Sequence, residues 1–146
     1  MTYHWSGPGE SFCAWRIGSA VEKRPPRPNI HIILAHQLLP EHAEALSKAD
    51  VAVFIDCSAV SAAGQVSTIR VRPAVELPRI LTHHLDPASL LRMAQEFFGH
   101  APASATLVTV GGESFAHTDE LSPAVEAAIP AALQAVYDLL LQPALV

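Results

Sequence analysis

The sequence is poor in charge and in cysteine, and it holds no long apolar run. Only 16% of its 146 residues are charged, and the formal net charge is −5. That balance leaves no basic footprint for nucleic acid or for an anionic membrane. The two cysteines, Cys13 and Cys57, lack zinc-motif spacing and form no disulfide framework. No stretch reaches the length expected of a transmembrane helix, and the first residues lack a charged region followed by an apolar one, so a cytoplasmic protein is expected. No G-x-G-x-x-G follows a strand-like run, which argues against a Rossmann nucleotide site, and there is no internal repeat.

What is present is apolar and patterned. Half of the residues are hydrophobic and the mean hydropathy is +0.27, values of a globular chain and not of a disordered one. The length suits a single domain, residues 1–146, with one substantial core. Val51 to Ile55 is a run of five apolar residues, β-branched and aromatic, as in a strand buried on both faces of a parallel sheet. The run stops at Asp56, followed by Cys57 and Ser58. Ligands of open α/β sheets gather outside the carboxyl ends of strands, so Asp56 is either a site residue or the cap of the following turn.

The flanking segments alternate. Residues 1–9 show no periodicity and are expected to be irregular. A helix then presents Phe12, Trp15, Ile17, Ala20 and Val21, with Glu10 or Ser11 at its start. After the stiff Pro25-Pro26-Arg27-Pro28 connector come a short strand, Ile30 to Leu34, and a helix opened by Pro40 and ending near Ala49. With Val51 to Ile55 these make a βαβ unit. Val66 to Val71 alternates, as an edge or antiparallel strand does. Asp86 and Pro87 open a helix with a stripe of Leu90, Leu91, Ala94, Phe97 and Phe98, closed by Gly99. Ala105 to Val110 reads as a buried strand, and Ser122-Pro123 caps a final helix in which Pro130 is expected to produce a kink. Three buried strands, one edge strand and four helices in alternation predict a three-layer α/β/α sandwich with a mostly parallel central sheet.

Four polar groups follow strands or open helices: His36, Asp56 with Cys57, His83 with His84, and Glu113 with His117. Carboxylate and imidazole together suit zinc or nickel. No pair has the spacing of a strong zinc motif, so the residues alone define a candidate metal site. A triad hydrolase with Cys57 as nucleophile is the rival reading, weakened by the missing helix-start signature and oxyanion glycine.

Taken together these residues resemble the hydrogenase maturation endopeptidases, proteases that trim a C-terminal peptide from the large subunit of nickel-iron hydrogenases. The resemblance covers about residues 9 to 141. It rests on Ala35-His36-Gln37-Leu38-Leu39-Pro40-Glu41, on Asp50-Val51-Ala52-Val53-Phe54-Ile55-Asp56, on Thr82-His83-His84-Leu85 with Leu90-Leu91, and on Leu121-Ser122-Pro123-Ala124-Val125. It implies a metal-contacting set of an N-terminal acidic residue, an aspartate after a central strand and a histidine before a helix. By motif position these are Glu10, Asp56 and His83, with His84 as the alternative histidine. Asp56 and His83 would then act in catalysis on the nickel already inserted in the hydrogenase large-subunit precursor, with no metal bound permanently. Neither nucleic acid nor membrane is an expected partner, and a monomer or weak homo-oligomer is expected.

The sequence departs from the family pattern at its start. The family opens with an apolar strand, Gly-Asn and a paired acidic motif. Here the strand is not evident, Gly-Asn is missing, and Ser11 falls at the second acidic position, the one usually credited with metal contact. A degenerate or truncated N-terminus is one expectation, with a sheet lacking a central strand. A catalytically inactive homologue that binds the precursor without cleaving it is the alternative function.

Overall fold

A computed structural model describes residues 2–4, 11–23, 29–35, 37–58, 61–79, 85–112 and 122–141. In chain order the elements are β1 (Thr2–His4), α1 (Ser11–Glu22), β2 (Ile32–Leu34), α2 (His42–Ser47), β3 (Val51–Ser58), β4 (Val66–Arg70), α3 (Pro87–Phe98), β5 (Ser104–Gly111) and α4 (Pro123–Leu141). The sheet order is β2-β1-β3-β5-β4. All neighbours are parallel except β4, which runs antiparallel to β5.

The apolar run around Val51 to Ile55 occupies the middle of this sheet and divides the core in two. Successive side chains of a strand point to opposite faces. Val53, Ile55 and Cys57 enter one cluster with Ile17 and Val21 of α1 and Val125, Ile129, Ala132 and Val136 of α4. Ala52 and Phe54 enter the other, with Ala43 and Leu46 of α2 and Leu90, Leu91, Met93 and Ala94 of α3. Two helices therefore cover each face, and the expected α/β/α sandwich is the observed one.

Local signals set several boundaries. Asp86 is extended and its Oδ1 accepts a hydrogen bond from Ser89 N at 2.6 Å, while Pro87 needs no donor at the first helical position. Gly99 ends α3 in the left-handed conformation, φ 75°, and donates to Gln95 O. Ser122 Oγ accepts from Val125 N at 3.4 Å ahead of α4. The edge position and antiparallel sense of β4 also agree with its alternation.

Several expectations are corrected. Residues 2–4 are not irregular: they form β1, paired with β2 on one side and β3 on the other, with Thr2 level with Ile32 and Val53. Three residues are too few to display a period, and the drive is tertiary, since the facing groups of β2 and β3 need partners. The sheet therefore has no missing central strand. β2 is an edge strand and not a buried one, with Leu34 38% exposed. β3 does not stop before Asp56 but pairs with β5 through Ser58. Pro40 precedes α2, its carbonyl accepting from Ala43 N in a turn, and the helix begins at His42.

The α3 stripe ends at Ala94. Phe97 and Phe98, expected to continue it, are 61% and 49% exposed. α4 continues through Pro130, 19 residues in all, with the ring exposed on the side where water can satisfy the freed carbonyl. At that length α4 is also long and apolar enough to cross a membrane, against the expectation of no such stretch. In the fold it is a covering helix, with Val125, Ala128, Ile129, Ala132 and Val136 buried in the core.

Two glycines separate conformational strain from steric exclusion. Gly64 and Gly99 share nearly the same backbone, φ 76° and 75°, but a Cβ on Gly64 would lie 2.6 Å from Ala124 O whereas one on Gly99 meets nothing within 4 Å. Gly99→Ala is expected to cost about 1 kcal/mol, the left-handed penalty alone. Gly64→Ala is expected to cost at least about 2 kcal/mol, since backbone overlap adds to the same penalty. Urea denaturation of the two variants checks this, and equal losses would contradict it.

Candidate functional site

Of the residues expected to contact metal, Asp56 is the one that lies among those the structure describes. It lies two residues before the end of β3, level with Thr109 of β5, and is 8% exposed. Strand alternation puts its side chain on the Ala52 and Phe54 face, the side covered by α2 and α3. Its Oδ1 accepts a hydrogen bond from Cys57 N at 2.8 Å. Alternate residues of a strand address opposite neighbours. Ser58 O accepts from Gly112 N on the β5 side, so the Cys57 amide faces the β1 side.

The surroundings are polar on one face and apolar on the other. Thr109, 9% exposed, lies beside Asp56, and Ser58 follows it on the same face. Ser58 Oγ accepts from Ser61 N at 3.2 Å and from Ser61 Oγ at 2.9 Å. Cys57 points the opposite way, into the core formed with α1 and α4, where it is a buried free thiol. A nucleophile needs access to substrate, so the rival hydrolase reading loses its nucleophile.

The other sequence-derived residues, Glu10, His36, His83, His84, Glu113 and His117, lie outside the described residues. Their neighbours in the chain can be placed. Ser11, which follows Glu10, opens α1. His4, at the carboxyl end of β1, is level with Ile55 and so lies at the sheet edge that carries Asp56. Leu85 and Asp86, which follow the His83-His84 pair, lie on the α3 side: Leu85 is buried in the Phe54 cluster and Asp86 caps the helix. Among the described residues there is no group of three or more His, Cys, Asp and Glu side chains that could hold a metal ion. Thr109 and Ser58 carried no signal in the sequence, because their relation to Asp56 depends on strand register.

A second ionisable group sits at the start of α2. His42 is partly buried and its Nδ1 accepts from Leu39 N at 3.0 Å, which requires a neutral ring nitrogen. Burial lowers its pKa, partly offset by Glu41. The folded state thus binds its proton less readily than the unfolded chain does.

Solved structures similar to this chain are hydrogenase maturation proteases. A hydrogenase maturating endopeptidase from E. coli matches with a TM-score of 0.70 at 27% identity, over 96% of this chain and 92% of that one. A second structure of an endopeptidase from Escherichia coli gives 0.68 at 27% identity over the same shares. A hydrogenase 2 maturation peptidase from a Thaumarchaeota archaeon, 20% identical, shares the fold with a TM-score of 0.62 over 96% of this chain and 98% of that one. No protein-family model and no curated protein matches the sequence. The likeness therefore extends to the fold and covers nearly the whole chain.

Two outcomes follow from this geometry. Asp56→Ala removes the acceptor of the Cys57 amide in a buried place and is expected to cost about 1–3 kcal/mol. Asp56→Asn keeps an oxygen there and is expected to cost less, so denaturation midpoints that fail to separate the two would contradict the assigned bond. For His42, stability linked to the neutral ring is complete above the unfolded pKa of about 6.5 and falls as pH drops through that value toward the lower folded pKa. Thermal melts from pH 7.5 to 5 are expected to show this loss in the wild type and a shallower one in His42→Gln; identical slopes would contradict it.

Proposed function

We propose that this chain is a hydrogenase maturation endopeptidase that removes the C-terminal peptide of a nickel-iron hydrogenase large-subunit precursor after nickel insertion. The observation that carries the reading is the full-length structural likeness to a hydrogenase maturating endopeptidase at 27% identity, with 92% of that chain covered. The buried carboxylate of Asp56 at the carboxyl end of a central strand supports it, since this is where an α/β sheet presents its chemistry. In this reading Asp56 and His83, with Glu10 from the connection ahead of α1, contact nickel that arrives with the precursor. The metal belongs to the substrate. Carboxylate and imidazole ligands hold it and place the scissile bond beside it, and hydrolysis needs no covalent acyl-enzyme.

One observation favours a second reading, a homologue that docks on the precursor without cleaving it. Ser11 stands at the second acidic position of the family motif, and its hydroxyl is a poorer ligand for nickel than a carboxylate. The two readings part in one assay. Nickel-loaded and nickel-free precursor are each incubated with the purified chain, and release of the C-terminal peptide is followed by mass spectrometry. Release from the loaded precursor alone, slowed about a hundredfold or more by Asp56→Ala, is the expected result, on the scale of removing a group that acts at the reacting centre. Stable binding with no release would sink the proteolytic reading and leave the docking homologue.

A further inference from the structure

β4 closes one side of the sheet, and its outer row of backbone groups is open to a further strand. It pairs with β5 alone. In an antiparallel ladder, residues alternate between bonding the partner strand and facing away from it. Val71 N donates to Ala105 O at 2.9 Å, and Gly111 N donates to Gln65 O at 2.9 Å. Between these two bonds the alternation gives Ser67 and Ile69 to β5 and turns the N–H and C=O groups of Val66, Thr68 and Arg70 outward. Among the described residues nothing bonds to that outward row. Thr68, Ile69 and Arg70 are all exposed although their side chains alternate between the two faces, so the strand is open on both. Ile69, on the face of Asp56, is 56% exposed. The two ends of the row differ. Ser67, Thr109 and Asp56 share one register row across β4, β5 and β3, so the Val66 end is the end that carries the candidate site. The far end is basic: Arg70 and Arg72 are exposed and, among the described residues, form no ion pair.

We propose that the outer side of β4 takes the C-terminal tail of the precursor as an added strand. The identity of this occupant rests on the proposed function, whereas the open row does not. Two strand spacings separate β4 from β3 and an added strand makes a third, about 14 Å in all, which about four or five extended residues span. A tail leaving a bond held at Asp56 therefore reaches β4 at Val66 and runs parallel to it. Its main chain meets the outward groups of Val66, Thr68 and Arg70, and an alternate side chain packs on Ile69. Any C-terminal tail ends in a carboxylate whatever its sequence, and this direction carries that charge toward the guanidinium groups of Arg70 and Arg72. A second copy of β4 is the rival occupant, but it brings no acidic residue between Val66 and Arg72 to meet them. Recognition through main chain and terminal charge reads the extended form and the end of a tail, with little demand on its side chains.

Amide hydrogen exchange by NMR tests the docking without reference to activity. The probe is a synthetic peptide of the last twelve or so residues of the precursor, enough to cover the gap and the strand. Added to the full chain, it is expected to slow exchange at Val66, Thr68 and Arg70 about tenfold or more, and to change Ser67 and Ile69, already bonded to β5, far less. Amidation of the peptide's C-terminus is expected to weaken binding about threefold or more, the scale of an exposed ion pair, and to have no effect once Arg70→Glu and Arg72→Glu are both present. Thr68→Pro removes an outward donor and leaves the β5 ladder intact, so it is expected to fold and to lose the peptide's protection. On nickel-loaded precursor Thr68→Pro is expected to raise KM about tenfold or more with kcat within about threefold. Protection without the alternation, free acid and amide that bind alike, or an unaltered KM in a folded Thr68→Pro chain would each overturn the proposal, the last while leaving the proteolytic reading in place. A wild-type dimer that Thr68→Pro dissociates would give the edge to a second copy and overturn it too. A wild-type chain that cleaves nothing while the peptide protects alternate amides would count against the proteolytic reading and still support the docking.

Discussion

The pairing of β3 with β5 over their whole length is the constraint on which the rest of the molecule depends. It fixes which residues of β3 face which helices, since a slip of one position would send Val53, Ile55 and Cys57 to the side of α2 and α3. It also sets Asp56 level with Thr109 near the end of the strand, on the face covered by α2 and α3, with a backbone amide to bind. Burial of a charged group is costly unless it is hydrogen-bonded. The Cys57 amide meets part of that need and orients the group at the same time. Fold and candidate site therefore share one cause.

The two halves of the core divide the labour. α1 and α4 form an apolar layer under Cys57, joined further by Tyr137 donating to Val21 O at 3.5 Å and by the exposed Arg16–Glu126 ion pair at 2.8 Å. An exposed pair of this kind contributes only about 0–1 kcal/mol, so apolar burial carries that interface. The layer of α2 and α3 lies under the face that bears Asp56, with the helix-capping Asp86 at the start of α3.

Much of the fold was legible in the sequence wherever the cause was local. The Val51 to Ile55 run, the Asp86-Pro87 start and the Gly99 stop of α3 all depend on residues adjacent in the chain, and all appear as expected. What was not legible depends on distant partners. β1 is a strand because β2 and β3 flank it, and three residues cannot announce that. Phe97 and Phe98 continue the helical stripe of α3 in sequence, yet both are exposed in the fold. The site was legible at Asp56, through its position after an apolar run. The Thr109 and Ser58 neighbours come from register, which one sequence does not encode visibly. Glu10 and His83 remain attached to the site by motif position alone.

The account stands on Asp56 and His83 meeting at one edge of the sheet, and a metal titration tests this most directly. Nickel or cadmium is titrated into the purified chain by calorimetry, beside Asp56→Ala and His83→Ala. The account predicts one metal per chain in the wild type, weakened about tenfold or more by either substitution, as for ligands of a common site. Binding that ignores both substitutions, or no binding to a well-folded chain, would contradict it.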